Sequence, residues 1–158
     1  MTITQISVST MLIALSTMFT AQIVKLITYS IRDKKINLSA LSTTGGMPSS
    51  HAAFAWSAVF AYLYFNNWNF DMFVTFSIVF SLIITYDAKG IRLQASKHAI
   101  HINEINERLN RLEGVEKYNK ALKESLGHTS FEVLIGIIMG ASFGILGAMF
   151  VLHGIYGQ

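Results

Sequence analysis

Long apolar stretches alternate with short polar segments along the chain, and this pattern predicts the fold. Four windows contain no Lys, Arg, Asp or Glu: residues 1–24, 36–70, 72–86 and 133–158. About 20 mostly apolar residues cross a bilayer as a helix. The windows therefore predict spans at about 6–31, 51–68, 70–86 and 130–155. The polar stretch Asn-Asn-Trp-Asn at 66–69 predicts a tight turn, so the second and third spans form a helical hairpin.

A polar segment, residues 87–127, separates the third and fourth predicted spans. Apolar residues recur in it at three- and four-residue spacing, as an amphipathic helix requires. They are Ile102, Ile105, Leu109 and Leu112 and, after Gly114, Val115, Tyr118, Leu122 and Leu126. The segment predicts a cytoplasmic amphipathic helical hairpin. The fold class is therefore an all-α integral membrane protein, a single domain over 1–158 with about four transmembrane helices and this hairpin.

The basic residues predict the orientation in the membrane. Of twelve Lys and Arg, three follow the first span and eight lie in the polar segment, and with four spans both places are on one side. The positive-inside rule makes that side cytoplasmic. We expect a multi-pass protein of the cell (plasma) membrane with both termini and the 66–69 turn outside. Eight basic against six acidic residues over 87–124 is too small an excess for a nucleic-acid partner.

Composition narrows the chemistry further. Charged residues make up 13% of the chain, against roughly 25% in soluble domains. The sequence has no cysteine, which excludes a disulfide, a thiolate metal site and a cysteine nucleophile. His98 and His101 form an incomplete metal set, so no metal site is predicted. Mg²⁺ held through Asp87 stays open, and otherwise no cofactor is expected.

Ionisable residues lie at the predicted cytoplasmic ends of different spans. Such residues are costly in a membrane and are therefore candidates for function. In chain order they are Lys25, Arg32, His51, Asp87, Arg92, His128 and Glu132. Because they share one depth, and because the cations among them require an anion, we expect them to surround a single anion site.

The residue types at this site indicate phosphoryl transfer. The stretch Gly-Gly-Met-Pro-Ser-Ser-His at 45–51 precedes an apolar helix, whose first N–H groups bind anions, and Ser49 and Ser50 add hydroxyls. Glu132 is four residues after His128, so the carboxylate can hold one ring nitrogen and leave the other to attack phosphorus. His51 would protonate the leaving oxygen. Three plainer interpretations stay open: Lys25 extends its ammonium to the interface, residues 45–50 only start a helix, and His128 caps one.

Three stretches also resemble a known family. They are Gly-Gly-Met-Pro-Ser-Ser-His-Ala at 45–52, Asp-Ala-Lys-Gly-Ile-Arg at 87–92 and Leu-Lys-Glu-Ser-Leu-Gly-His-Thr at 122–129. In this order they are similar to the divergent branch of the type 2 phosphatidic acid phosphatase superfamily, also labelled acid phosphatase/vanadium-dependent haloperoxidase-related. The resemblance covers nearly the whole chain.

The motifs of the parent superfamily match in part. Lys25 and Arg32 fit the spacing of Lys, six residues, Arg-Pro, with Asp33 in place of the proline. Pro48, Ser49 and His51 fit Pro-Ser-Gly-His, with Ser50 in place of the glycine. His128 and Glu132 fit the second half of Ser-Arg, five residues, His, three residues, Asp, with Glu in place of Asp. Ala121 and Leu122 stand where Ser-Arg is expected, so Arg92 or Lys123 would have to supply the missing cation.

The resemblance implies a phosphatase that hydrolyses a lipid phosphate through a phosphohistidine. Its substrate would resemble phosphatidic acid, phosphatidylglycerophosphate or a polyprenyl phosphate. His128, His51 and Glu132 would be catalytic, and Lys25, Arg32, Ser49, Ser50 and Arg92 would bind substrate. The alternatives are a non-catalytic protein that binds or transports phospholipid or polyprenyl phosphate at a degenerate anion site, and a structural scaffold. The expected partners are the lipid bilayer, an anionic lipid and a second copy of the chain.

A glycine stripe supplies the surface for that homodimer. Gly136, Gly140 and Gly144 recur every four residues and form one helix face on which another backbone can approach closely. Packing within the chain is the simpler interpretation of these glycines, and dimerisation is the second.

Overall fold

The computed structural model describes residues 1–36, 45–113, 121–124, 126–155 and 157. In chain order the helices are α1 (Ile3–Asp33), α2 (Ser50–Phe65), α3 (Met72–Lys89), α4 (Ile91–Glu113) and α5 (Ser130–Met149), and α5 continues as a π-helical turn, Phe150–Ile155. The described ranges contain no strand. The all-α prediction is confirmed, and the predicted span boundaries agree with the helices to within a few residues.

Polar side chains begin four of these helices, although the helices themselves are apolar. Thr2 and Thr129 each form a capping box, with Gln5 and Glu132 respectively. Ser49 caps α2, and Asp71 caps α3 by accepting a hydrogen bond from the Val74 N–H. These caps satisfy backbone N–H groups that would otherwise lack partners at a helix start. The sequence thereby fixes where each helix begins, including the two helices that start at the candidate site.

Helix α2 lies in the centre of the bundle, parallel to α5 and antiparallel to α1 and α3. Ile13 of α1 packs with Phe65 at the end of α2, and Tyr29 near the end of α1 lies against Gly46, just before α2. On the other side, the Trp56 indole N–H donates to Thr85 Oγ1 of α3 at 3.1 Å. The helices therefore alternate in direction, as four successive crossings of a membrane require.

The glycine stripe of α5 forms the contact with α2. Gly136, Gly140 and Gly144 are buried. A Cβ at Gly140 would lie 2.7 Å from the Ala53 carbonyl oxygen, and one at Gly144 would lie 2.6 Å from that of Ser57. The interpretation of these glycines as a packing face is confirmed. Dimerisation stays a prediction, and it would require a different face, since α2 of the same chain occupies this one.

Within the described ranges three stretches are long and apolar enough to cross a membrane: Ile3–Asp33, Met72–Leu112 and Ser130–Ile155. Helix α2 has 16 residues, about 24 Å at 1.5 Å per residue, and is shorter than a typical span. It is also the most enclosed helix, with small side chains such as Ala52, Ala53 and Ala61 fully buried. Neighbouring helices surround α2, so it packs mainly against protein.

The start of α1, the end of α5 and the 66–69 turn lie together at one end of the molecule. Ile6 of α1, Leu152 beyond α5 and Trp68 of the 66–69 turn line one cavity of about 580 Å³. The start of α1, the end of α5 and this turn therefore share one side, as the predicted topology requires. His153 lines the same cavity, at the opposite end of the bundle from His128.

Helix α4 forms the first arm of the predicted cytoplasmic hairpin, whereas the described residues of the second arm are not helical. Helix α4 supplies that arm, but Ala121–Glu124 and Leu126 are not helical, so the predicted second helix is wrong at Leu122 and Leu126. Val115 and Tyr118 lie outside the described residues. The 121–124 segment is held against α4: Asn103 exchanges hydrogen bonds with the Leu122 backbone at 2.8 and 2.9 Å, and Ser96 donates to the Glu124 carbonyl. Hydrogen bonds between α4 side chains and the backbone therefore attach the 121–124 segment to α4, in place of the predicted apolar contact between two helices.

Candidate functional site

Lys25 is the buried cation of the site. It lies on the inner face of α1 with 1% of its surface exposed. Glu132 and both site histidines, His51 and His128, are within electrostatic range of its ammonium. Gln22, one turn earlier on α1, has a buried amide oxygen without a hydrogen-bond partner among the described residues. This end of α1 therefore presents polar groups to the interior.

The backbone before α5 places His128 beneath the junction of α3 and α4. The His128 N–H donates to the Ala88 carbonyl at 2.9 Å. Gly127 has φ of +75°, and a Cβ there would collide with the backbone of Arg92 and Leu93. Glycine is thus required at 127 both by the left-handed conformation and by the close approach. These constraints lock the loop that carries His128 against the end of α3.

The His128 side chain is enclosed and only 1% exposed. Its Nδ1 lies 3.5 Å from Glu132 Oε2, too far for a good hydrogen bond. Neither ring nitrogen has a hydrogen-bond partner in the described part of the chain. Burial and the charge of Lys25 lower the pKa of His128, and Glu132 and the Gly46 backbone oppose this shift. Burial and Lys25 thus favour the neutral ring of His128, which lies beside Glu132 and the Gly46 backbone without a well-formed hydrogen bond to either.

Glu132 connects three parts of the site. Its carboxylate accepts a hydrogen bond from the Thr129 N–H at 2.9 Å, and its carbonyl accepts one from the Ser49 N–H at 3.1 Å. The first bond caps α5 and the second ties α5 to the start of α2. Glu132 therefore links the start of α5, which follows His128, to the 45–51 stretch.

The two serines of the 45–51 stretch have different surroundings. Ser49 is fully buried, and its Oγ accepts a weak hydrogen bond of 3.4 Å from the Ala52 N–H as the cap of α2. The Ser50 Oγ is buried and has no hydrogen-bond partner within the described ranges. The hydroxyl of Ser50 is thus the one that a ligand could engage, whereas the resemblance implies Ser49 in that role.

His51, Asp87 and Arg92 share one cavity of about 340 Å³ between α2 and α3. Arg92 Nε lies 2.5 Å from Asp87 Oδ2, so the guanidinium already has an anionic partner within the chain. Among the described residues no three His, Asp or Glu side chains form a group that could hold a metal ion. The carboxylate that the sequence offers for Mg²⁺ is instead paired with Arg92.

Arg32 and Lys123 are exposed, unlike the buried Lys25 and His128. The Arg32 side chain is 65% exposed, contacts Asp33 at 3.0 Å and stacks 4.4 Å above the Tyr29 ring. Lys123 is exposed on the segment held by Asn103, which is eleven residues beyond Arg92 and so about 16 Å along α4. The sequence does not predict that Tyr29 lies next to the site. Its contact with Gly46 depends on how α1 and α2 align, which leaves no signal in the sequence.

Comparisons with known proteins agree with this architecture. The model of the family described as "Divergent PAP2 family" matches residues 6–143. The chain belongs to the divergent PAP2 family. A relative in this comparison is the "Uncharacterized membrane protein YuiD" of Bacillus subtilis (strain 168), 31% identical over 149 residues, with 89% of this chain and 94% of the relative covered. No solved structure matches.

The departure of this divergent PAP2 family member from the third motif has a structural consequence. Ala121 and Leu122, at the positions of the expected Ser-Arg, lie on the segment held against α4. An arginine at position 122 would therefore not take the place of a cation next to His51. Arg92, which shares a cavity with His51, is the guanidinium that the fold brings to this place.

Proposed function

We propose that this divergent PAP2 family member is a membrane-embedded phosphatase that hydrolyses a lipid phosphate through a phosphohistidine. The observation that supports the proposal is the buried His128 between Lys25 and Glu132, whose ring nitrogens form no well-formed hydrogen bond among the described residues. A buried polar group normally has a partner. A phosphorus atom would engage the attacking nitrogen, and the cation would stabilise the phosphate oxygens.

The first step is attack on phosphorus. Nδ1 of His128 faces Glu132, which leaves Nε2 to form the P–N bond while the bond from phosphorus to the lipid oxygen breaks. His51 gives its proton to that oxygen, and the alcohol leaves. Lys25, Ser50 and Arg92 bind the phosphate oxygens, and Glu132 stabilises the charge that develops on the His128 ring.

The second step regenerates the enzyme. His51, now neutral, takes a proton from water, and the water oxygen attacks phosphorus. The P–N bond breaks, its electron pair returns to His128 and inorganic phosphate leaves. In both steps His51 moves the proton and His128 carries the phosphoryl group, so the two histidines have separate roles.

A second candidate function is lipid-phosphate binding without hydrolysis. It is favoured by the enclosure of His128, whose side chain is 1% exposed, and by the Asp87–Arg92 pair, which occupies the guanidinium. The lost Ser-Arg of the third motif points the same way. In such a protein the anion site would hold a phospholipid or polyprenyl phosphate for transfer.

Phosphate release separates the two functions. Detergent-purified full-length protein should release phosphate from at least one member of a panel containing phosphatidic acid, phosphatidylglycerophosphate and a polyprenyl phosphate. Orthovanadate, which imitates five-coordinate phosphorus, should inhibit the release. Binding of a panel member without any phosphate release would instead support the transport alternative.

The orientation in the plasma membrane is also a proposal, supported by the distribution of basic residues. Single cysteines introduced at Asn67 and at Asn110 should react with an impermeant thiol reagent from opposite sides, Asn67 from outside. The native sequence contains no cysteine, so each signal would come from one position. Labelling of both cysteines from the same side would contradict the four-span topology.

The pH dependence of turnover should reflect the lowered pKa of His128. Only the neutral ring can attack phosphorus, and protonation at acidic pH blocks it. Because burial and Lys25 lower this pKa below the ordinary value of 6.5, the acidic limb of kcat/KM should lie below pH 6.5. The measurement is the pH profile of phosphate release. An acidic limb above pH 6.5 would mean that a different group controls the reaction.

Replacing Glu132 with Gln isolates the charge of this side chain. Gln can retain the capping box with Thr129, so the fold should be preserved while the carboxylate is lost. We expect kcat to fall by roughly 10- to 100-fold, with substrate binding nearly unchanged, because Glu132 acts on His128 and not on phosphate. Comparison of kcat and KM in both proteins tests this. A rise in KM alone would place Glu132 in substrate binding.

A further inference from the structure

A cavity of about 340 Å³ leads away from the charged residues between α2 and α3. His51, Asp87 and Arg92 form its polar end. The rest of its lining is apolar and consists of Phe54, Phe80, Ile83, Ile84 and Ala88. One space therefore joins two residues of the proposed phosphate site, His51 and Arg92, to a hydrocarbon-like surface.

The apolar lining follows the helices toward the middle of the bundle. On α3 the residues recur at three- and four-residue spacing and so occupy one face. Phe80 lies seven residues before Asp87, about 10 Å along the axis. On α2, Phe54 is one turn beyond His51. The cavity is thus elongated along α2 and α3, with its charge at one end only.

This cavity opens toward the surroundings of α3. Phe80 is 65% exposed and Ile83 is 59% exposed, on a stretch that is apolar and long enough to cross a membrane. In a bilayer these side chains face lipid hydrocarbon. The hydrocarbon chain of a lipid could therefore enter the cavity sideways from the membrane, without passing through water.

We infer that this cavity binds the hydrocarbon chain of a single-chain phosphate monoester, with its phosphate between His51 and Arg92. The inference rests on the proposed function and adds a substrate class to it. Arg92, which a phosphate would share with Asp87, and a protonated His51 complement a phosphate at the polar end, and the apolar walls complement the adjoining methylenes. The volume is at the lower end of the roughly 300–1,000 Å³ of small-molecule sites.

The same geometry disfavours a diacyl substrate. In phosphatidic acid the chains diverge at the glycerol, within a few bonds of the phosphate. A cavity of about 340 Å³ has room for roughly eleven groups of the ~30 Å³ that a water-sized group occupies, which is enough methylenes for one chain and not for two. A single chain avoids this crowding, so an alkyl or prenyl phosphate fits better.

The test compares three phosphate monoesters on the purified full-length protein: dodecyl phosphate, dilauroyl phosphatidic acid and methyl phosphate. Dodecyl phosphate should give a kcat/KM at least about tenfold above that of phosphatidic acid. In Ile84→Trp, whose indole would fill the cavity, kcat/KM for dodecyl phosphate should fall at least about tenfold. Hydrolysis of methyl phosphate, which has no chain, should change less than about twofold.

Ile138→Trp is the matched control, because Ile138 is an exposed α5 residue outside the cavity. It should leave both rates within about twofold. A preference for phosphatidic acid would overturn the inference, as would an Ile84→Trp protein that hydrolyses dodecyl phosphate normally. If Ile84→Trp does not fold, Phe54→Ala replaces it: the enlarged cavity should raise the relative rate on phosphatidic acid, and an unchanged ratio would overturn the inference.

Failure of the proposed function would give a different result. If the wild type hydrolyses none of the three compounds, calorimetric binding of dodecyl phosphate still tests the cavity. Ile84→Trp should then weaken that binding at least about tenfold while Ile138→Trp does not. Equal binding by all three proteins would overturn the cavity assignment.

Discussion

His128→Ala should lower phosphate release by about a thousandfold or more, the largest catalytic effect that we expect. The substitution removes the proposed nucleophile, and the remaining groups can only bind phosphate and donate a proton. The loss should appear in kcat measured on any hydrolysed member of the lipid panel. Orthovanadate should also bind less tightly, because the variant lacks the ring nitrogen that coordinates it.

His101→Ala is the control for this experiment. His101 lies on α4 with its side chain 73% exposed and pairs weakly with Glu104 at 3.7 Å. Its replacement should leave phosphate release and vanadate inhibition within about twofold of wild type. The melting temperature of each variant shows whether the fold is retained.

Two outcomes would refute the nucleophile assignment. Equal phosphate release by wild type and His128→Ala would identify a contaminating phosphatase. Unchanged vanadate potency in the variant would mean that His128 does not attack phosphorus. In either case the binding function, supported by the enclosed histidine and the Asp87–Arg92 pair, would be the better account.

Local spacing allowed much of the site to be predicted from the sequence. The proximity of His128 and Glu132 follows from residues four apart, where α5 begins. Burial of Gly136, Gly140 and Gly144 follows from the same periodicity. The helix boundaries follow from loss of charge and from capping residues. These features depend on neighbours in the sequence, which is why they can be predicted without knowing the tertiary fold.

Features that depend on how helices align could not be predicted. The spacing gives no means of distinguishing the roles of Ser49 and Ser50, because the packing of Ser49 on Gly136 requires α5 to be in place. The same holds for Arg32, which is exposed and stacks on Tyr29, whereas Lys25 on the same helix is buried. A charged residue at the same membrane depth is therefore a weaker predictor of a site residue than spacing along one helix, since depth does not say which way the side chain points.

The contact between α2 and α5 connects stability to the site. The Ser49 N–H bonds to the Glu132 carbonyl at 3.1 Å, and the glycine stripe continues this contact along α5. The distance between the two helices consequently sets the distance between the 45–51 stretch and the residues around His128. A substitution that separates the helices should affect both folding and turnover.

Gly140→Ala should therefore destabilise the protein strongly for a one-carbon change. The added Cβ would lie 2.7 Å from the Ala53 carbonyl oxygen and 3.0 Å from the Ser57 nitrogen, both backbone atoms that cannot rotate away. Overpacking of this kind costs about 1–3 kcal/mol. For a protein of this size the melting temperature falls by roughly 2–4 °C for each kcal/mol of lost stability. We expect the melting temperature in detergent to fall by roughly 2–12 °C, together with turnover.

Gly154→Ala is the matched control, because it adds the same methyl group at a position where the structure has room for it. Its Cβ would lie 3.5 Å from the nearest atom, a Phe150 ring carbon, which is an ordinary contact. The melting temperature should stay within about 2 °C of wild type, and turnover should be unchanged, because this glycine is at the far end of the bundle from His128. If both variants melt like the wild type, α5 does not approach the α2 backbone as closely as the glycine stripe requires. If Gly140→Ala melts early but keeps full turnover, the α2–α5 distance matters for the fold and does not set the geometry of the site.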